Sequence, residues 1–181
     1  MKEISLNILD IAENSVKARA TLTEITVNET DDTLTLKISD NGCGMTAETL
    51  KAVTDPFYTT RTTRKVGMGL PLLKMEAEQT GGTFGISSKA ESEYPEDHGT
   101  EVTAVFNKKH IDYTPLGDVV SSIVTLIQGH PDTDFLFTHT CGDKSVTLDT
   151  RELRAVLEEV PLNSYEVLKF IEETLRKEEN I

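Results

Sequence analysis

Between residues 33 and 39 the chain alternates with a period of two: Leu34, Leu36 and Ile38 are bulky aliphatics, and Thr35 and Lys37 between them are polar. Such a pattern puts the three aliphatics on one face of a half-buried strand. Glu24 to Asn28 alternates in the same way, and the intervening Asn28-Glu29-Thr30-Asp31-Asp32 is rich in turn formers. An antiparallel hairpin is the simplest connection. Before it, residues 5 to 18 read as a helix whose apolar side gathers Ile4, Ile8, Ile11, Ala12 and Val16. The polar side gathers Asn7, Asp10, Asn14 and Lys17 within an arc of about 80 degrees. This helix can bury one face on the hairpin and turn a polar stripe toward something else.

Further along, Thr46 is placed to cap a short helix running to about Val53, and Asp55-Pro56 stops it because a residue before proline avoids helical angles. A Thr- and Arg-rich loop follows. A second long helix starts near Met68 to Pro71 and ends at Gly81-Gly82. Strands over residues 83–88 and 101–106 complete an α/β unit, with an acidic loop between them. Lys108 to Pro115 is the candidate boundary, which divides the chain into a domain over 1–110 and a small accessory α/β segment over 111–181. That segment reads as a helix over 116–127, short strands over 135–138 and 145–148, and helices over 150–159 and 164–177.

With 37% hydrophobic and 27% charged residues, the 181-residue chain has the composition of a folded globular protein. No apolar run reaches membrane-spanning length, and the first residues lack the apolar core of a secretion signal, so the expected location is cytoplasmic. Cys43 and Cys141 provide no disulfide framework and no paired metal-ligand spacing, and both are expected to be reduced. A net charge of −13 disfavours nucleic acid as a partner, because a phosphate backbone is held by clustered Lys and Arg. Arg61, Arg64 and Lys65 form a local cationic exception, which can be a solvated loop or can face a small polyanion.

Two glycine clusters stand out. Asp40-Asn41-Gly42-Cys43-Gly44-Met45 ends a strand, where glycines let the backbone turn and come close to a flat ligand, although a plain turn explains them equally well. Gly67-Met68-Gly69-Leu70 follows the cationic loop and opens a helix, whose free N–H groups and positive dipole end suit phosphate. His139-Thr140-Cys141 offers only two ligands and is a poor metal site, and His110, His130 and His139 are expected to be surface or structural residues.

In order and spacing these clusters resemble the motifs of the GHKL superfamily, which includes gyrase, the heat-shock chaperone, histidine kinases and the mismatch-repair ATPases. Leu9-Asp10-Ile11-Ala12-Glu13-Asn14-Ser15 resembles its N box, Asp40 to Met45 its G1 box, and Asp55-Pro56-Phe57-Tyr58-Thr59-Thr60 its F box. Gly67-Met68-Gly69-Leu70 is similar to the G2 box and His98-Gly99-Thr100 to the final Gly-Thr element.

The resemblance spans residues 4 to 107 and implies the Bergerat ATP-binding fold, a two-layer α/β (α+β) sandwich with helices on a mixed, largely antiparallel sheet. It also implies ATP and Mg²⁺ as ligands, with Asn14 holding the metal as a hard oxygen donor. Asp40 would accept from the adenine amino group, while Gly42 and Gly44 would leave room for base and ribose beside Met45. Lys17 would offset phosphate charge. Thr59, Thr60 and the stretch Arg61 to Val66 would form a lid, Phe57 of the F box would contact the nucleotide, Gly67, Met68, Gly69 and Leu70 would belong to the phosphate-facing turn, and Thr100 to the adenine side.

Relatives that hydrolyse ATP carry a glutamate four residues before the asparagine, where this chain has Asp10, a shorter base that must still reach its proton. Glu13 is the rival, about 100 degrees from Asn14 around the helix, where it suits a structural contact better. Lys65 stands where histidine kinases often place an additional glycine. The N box lies almost at the first residue and no histidine precedes His98, which argues against self-phosphorylation in the manner of a sensor kinase. Three functions follow from the resemblance. The first is a regulatory ATPase whose nucleotide-ordered lid controls contacts with a partner protein or a second copy in a homodimer. The second is a kinase acting in trans on a phosphoacceptor, similar to anti-sigma serine kinases or a stand-alone histidine kinase catalytic domain. The third is a nucleotide sensor without hydrolysis.

Overall fold

The computed structural model describes residues 3–54 and 69–179. Their elements run α1 (Ile4–Lys17), β1 (Leu22–Glu29), β2 (Thr33–Asp40), α2 (Ala47–Thr54), α3 (Gly69–Gln79), β3 (Thr83–Lys89) and β4 (Gly99–Asn107). After a connection come α4 (Val119–Gly129), β5 (Asp134–Cys141), β6 (Lys144–Asp149), α5 (Thr150–Leu157) and α6 (Tyr165–Glu178). The six strands form one sheet in the order β3-β4-β2-β1-β5-β6. Every neighbouring pair is antiparallel except β1 and β5, which run parallel. The mixed, largely antiparallel α/β sandwich expected from the sequence is therefore the observed architecture.

The alternation that predicts β1 and β2 is the one that buries them. Ile25, Val27, Leu34, Leu36 and Ile38 are all at most 2% exposed, and their register pairs Ile25 with Ile38 and Val27 with Leu36. Val102, Ala104 and Phe106 of β4 and Phe135 and Phe137 of β5 continue the same inner face. Helix α1 lays Ile4, Ile8, Ile11 and Ala12 on this face, and α4 adds Ile123, Leu126 and Ile127 beside it. One contiguous core thus runs beneath both the first four strands and the last two.

The connection around residues 108–118 is bonded to the start of α1. The otherwise orphaned N–H groups of Ile4 and Ser5 donate to the carbonyls of Pro115 and Leu116, at 2.9 and 2.8 Å. Helix α4 begins three residues later than its apolar pattern predicts. Gly117 has φ +78°, outside helical angles, and Asp118 caps the helix by accepting from the Ser121 N–H at 2.9 Å.

Candidate functional site

Helix α1 ends in a tight cap: the N–H of Ala18 donates to Asn14 O and that of Ala20 to Ser15 O, with Arg19 in the left-handed region at φ 64°. The freed carbonyl of Ala18 accepts the N–H of Cys43 at 2.8 Å. The end of α1 is thereby tied to the turn after β2, and Asn14 and Asp40 both line one cavity of about 170 Å³.

Most of the cavity wall is apolar, from Ile11 of α1, Ile38 of β2, Val53 of α2, Leu70 of α3 and Val102 of β4, with Met45 from the turn. Asn14, Ser15, Asp40 and Thr100 supply its polar lining. Both oxygens of Asp40 are already held. Oδ1 accepts the Gly42 N–H at 2.9 Å, and Oδ2 accepts the Ser15 hydroxyl at 2.7 Å. A carboxylate offers about four acceptor positions, so capacity remains for a donor arriving from the cavity.

Thr100 faces Asp40 across the β2–β4 ladder and Ser88 across the β3–β4 ladder. The Ser88 hydroxyl oxygen accepts the Met45 N–H at 2.8 Å, lies 2.8 Å from the Thr100 hydroxyl, and donates to Gly99 O at 3.0 Å. His98 Nδ1 donates to Gly42 O at 2.6 Å, which fixes the tautomer with the proton on that nitrogen. Asn41 accepts both the Thr21 and Leu22 N–H groups on its Oδ1, at 2.9 and 3.0 Å, and so locks the turn to the start of β1.

The glycines of this turn sit where a side chain would collide with backbone or neighbouring atoms. A Cβ on Gly42 would come within 2.9 Å of Ala18, and Gly44, at φ +61°, would drive a Cβ into the Lys89 carbonyl. Both glycines therefore permit the close packing of the turn, and Gly44 also lines the cavity.

The polar stripe of α1 also divides. Asn7 is fully buried and donates to Glu76 of α3 at 2.6 Å, which joins the two helices and leaves it out of the cavity. Asp10 is exposed beside Gly69 at the start of α3, where an added Cβ would stand 3.2 Å from the Asp10 Cβ. Lys17 is exposed in the last turn of α1. Glu13 accepts from His130 at 2.6 Å, a structural link from α1 to the end of α4. Phe57, Thr59, Thr60, Arg61, Gly67 and Met68 lie outside the described residues.

Sequence reasoning did not single out Ser15 or Ser88. Ser15 sits on the apolar side of α1, continuing Ile8, Ile11 and Ala12, and a buried hydroxyl on such a face demands a partner. That demand was the available signal. Ser88 gave none, since a serine on an edge strand is ordinary.

Residues 2–110 match the family described as histidine kinase-, DNA gyrase B-, and HSP90-like ATPase. The chain belongs to that family. Among similar proteins is the signal transduction histidine-protein kinase AtoS of Escherichia coli (strain K12), 36% identical over 88 residues. The matched stretch is 49% of this chain and 14% of AtoS. The sensor histidine kinase ZraS of Klebsiella oxytoca is 30% identical over 88 residues, 49% of this chain and 19% of its own length. The chain thus spans less than a fifth of the length of the curated relatives it matches. Among solved structures, the Aquifex aeolicus MutL ATPase domain complexed with ADP superposes with a TM-score of 0.53 at 13% identity. The likeness covers 98% of this chain and 88% of that one, so the shared fold includes the strands and helices after residue 110.

Proposed function

We propose that this chain binds Mg-ATP in the cavity between α1, β2 and β4 and hydrolyses it slowly, as a regulatory ATPase acting on a partner protein or a second copy. The observation that carries the reading is Asp40. It is a carboxylate held by two protein donors within an otherwise mostly apolar slot. An acceptor there selects a 6-amino purine over a 6-oxo purine, and the walls from Ile38, Met45, Val53 and Val102 suit the faces of a flat base.

Asn14, on the same wall as Ser15, is the residue that would hold Mg²⁺, which when bound offsets negative charge between phosphate oxygens. Gly69 opens α3, and N–H groups at the start of an eleven-residue helix favour an anion. Asp10 stands beside that glycine, where it would take the proton of a water attacking the terminal phosphorus as the bond to the leaving oxygen breaks.

Similarity to two sensor histidine kinases favours a second reading, phosphoryl transfer to a partner in trans. Gamma-labelled ATP separates the two, since free phosphate supports hydrolysis and label on a captured partner supports transfer. Calorimetry with Mg-ATP tests what both share. Asp40→Asn is expected to weaken binding roughly thirtyfold, about 2 kcal/mol, while Asp10→Asn keeps affinity and loses turnover. Unchanged turnover in Asp10→Asn removes Asp10 from the role of base, and no heat with the wild-type protein removes the nucleotide site.

A further inference from the structure

We infer that Ser15 is a positioning residue for base recognition: its hydroxyl aims the Asp40 carboxylate so that the chain reads the 6-amino group of a purine. The inference rests on the reading of Asp40 as the group that meets the base.

A serine inside a helix ordinarily spends its proton on the carbonyl four residues back. Here that contact, to Ile11 O, is stretched to 3.5 Å, while the bond to Asp40 Oδ2 is 2.7 Å. The proton is therefore directed across to β2. Ser15 is 2% exposed and is itself part of the cavity wall, so its hydroxyl is the built-in protein donor to this oxygen.

The other oxygen of Asp40 is fixed by the Gly42 N–H, in a turn that cannot move far because Gly42 abuts Ala18 and its carbonyl is held by His98. One donor fixes a carboxylate's position, whereas two donors on different oxygens also fix the rotation of its plane. That rotation decides whether a free lone pair points at an N–H on the base. Without Ser15 the plane is free to turn, and one oxygen is left in an apolar slot without its protein donor. Bidentate fixing makes Ser15 a specificity determinant that acts through Asp40.

The test compares ADP with its 6-deamino analogue, purine riboside 5′-diphosphate, each titrated with Mg²⁺ by calorimetry into wild-type protein and Ser15→Ala. Alanine is the best helix former, so α1 is retained. Wild type is expected to prefer ADP by about 10- to 100-fold, the worth of a hydrogen bond to a charged group. Ser15→Ala is expected to cut that preference by roughly tenfold while binding the deamino analogue within about twofold of wild type. A merely structural role for Ser15 would lower both affinities together, and that result, or an unaltered preference, overturns the inference. Wild-type protein that binds neither diphosphate overturns the nucleotide site itself. Wild-type protein that binds both equally overturns base reading by Asp40, and the role of Ser15 with it.

Discussion

At the scale of single residues, the site depends on how tightly its turn is packed. Gly44 shows how. Its left-handed angle and its contact with the Lys89 carbonyl hold the turn that carries Met45 against β3. Gly44→Ala is expected to destabilise the protein by about 2 kcal/mol or more, because a side chain there meets both an unfavourable φ and backbone atoms. Urea unfolding measures it, and a midpoint equal to wild type would show that the turn relaxes freely. His98 and Asn41 act similarly, one on the Gly42 carbonyl and the other on the N–H groups of Thr21 and Leu22.

Among elements, the pairing of α4 with α6 has a defined polar clasp. Asp118 caps α4 and also accepts from the Arg176 guanidinium of α6 at 3.1 and 3.3 Å. Burial alone would raise its carboxyl, but the backbone N–H and hydroxyl of Ser121 and the charge of Arg176 outweigh that and pull it down to about 2. A depressed carboxyl stabilises above its unfolded value and loses that contribution as the pH falls toward the folded one. Asp118→Ala is expected to cost about 1 kcal/mol, the usual worth of an N-cap. In a urea titration series the deficit should be present at pH 7 and shrink as the pH falls from about 4 through about 2.

Across the whole molecule, the far end of the sheet closes on a partly buried ion cluster. His139 of β5 bridges Glu29 of β1, at 3.0 Å, and Glu179 just after α6, at 2.7 Å, while Lys108 reaches Glu29 at 2.8 Å. Burial would lower the imidazole, but the hydrogen bonds and charges of Glu179 and Glu29 prevail and raise it above its ordinary value. Burial would likewise raise Glu29, yet Lys108 and His139 hold it below the ordinary carboxylate range. Nearby Tyr113 is pushed up to about 12 by burial and by the charge of Glu29.

A raised imidazole contributes stability in full below its unfolded value, about 6.5, and loses it as the pH rises through the folded value. The wild-type urea midpoint is therefore expected to fall between neutral and mildly alkaline pH. The His139→Gln variant should lack that fall. A matching slope in the variant would assign the effect to other groups.

Period-two alternation was enough to specify β1 and β2, and the motif order was enough to identify the family, because both are written in local residue types and spacing. That Asn14 and Asp40 line one cavity was anticipated by resemblance. What local pattern could not express was partnership. Asn7 and Asp10 share a helical face, yet one is sealed against Glu76 and the other is exposed beside Gly69, a division set by where α3 packs. The parallel pairing of β1 with β5, the placement of α4 on the core of α1, and the bond from Ser15 to Asp40 all join segments distant in sequence. Only the closing of the chain on itself decides such contacts, since a hydrogen bond or a buried face is specified jointly by two stretches, neither of which encodes the other.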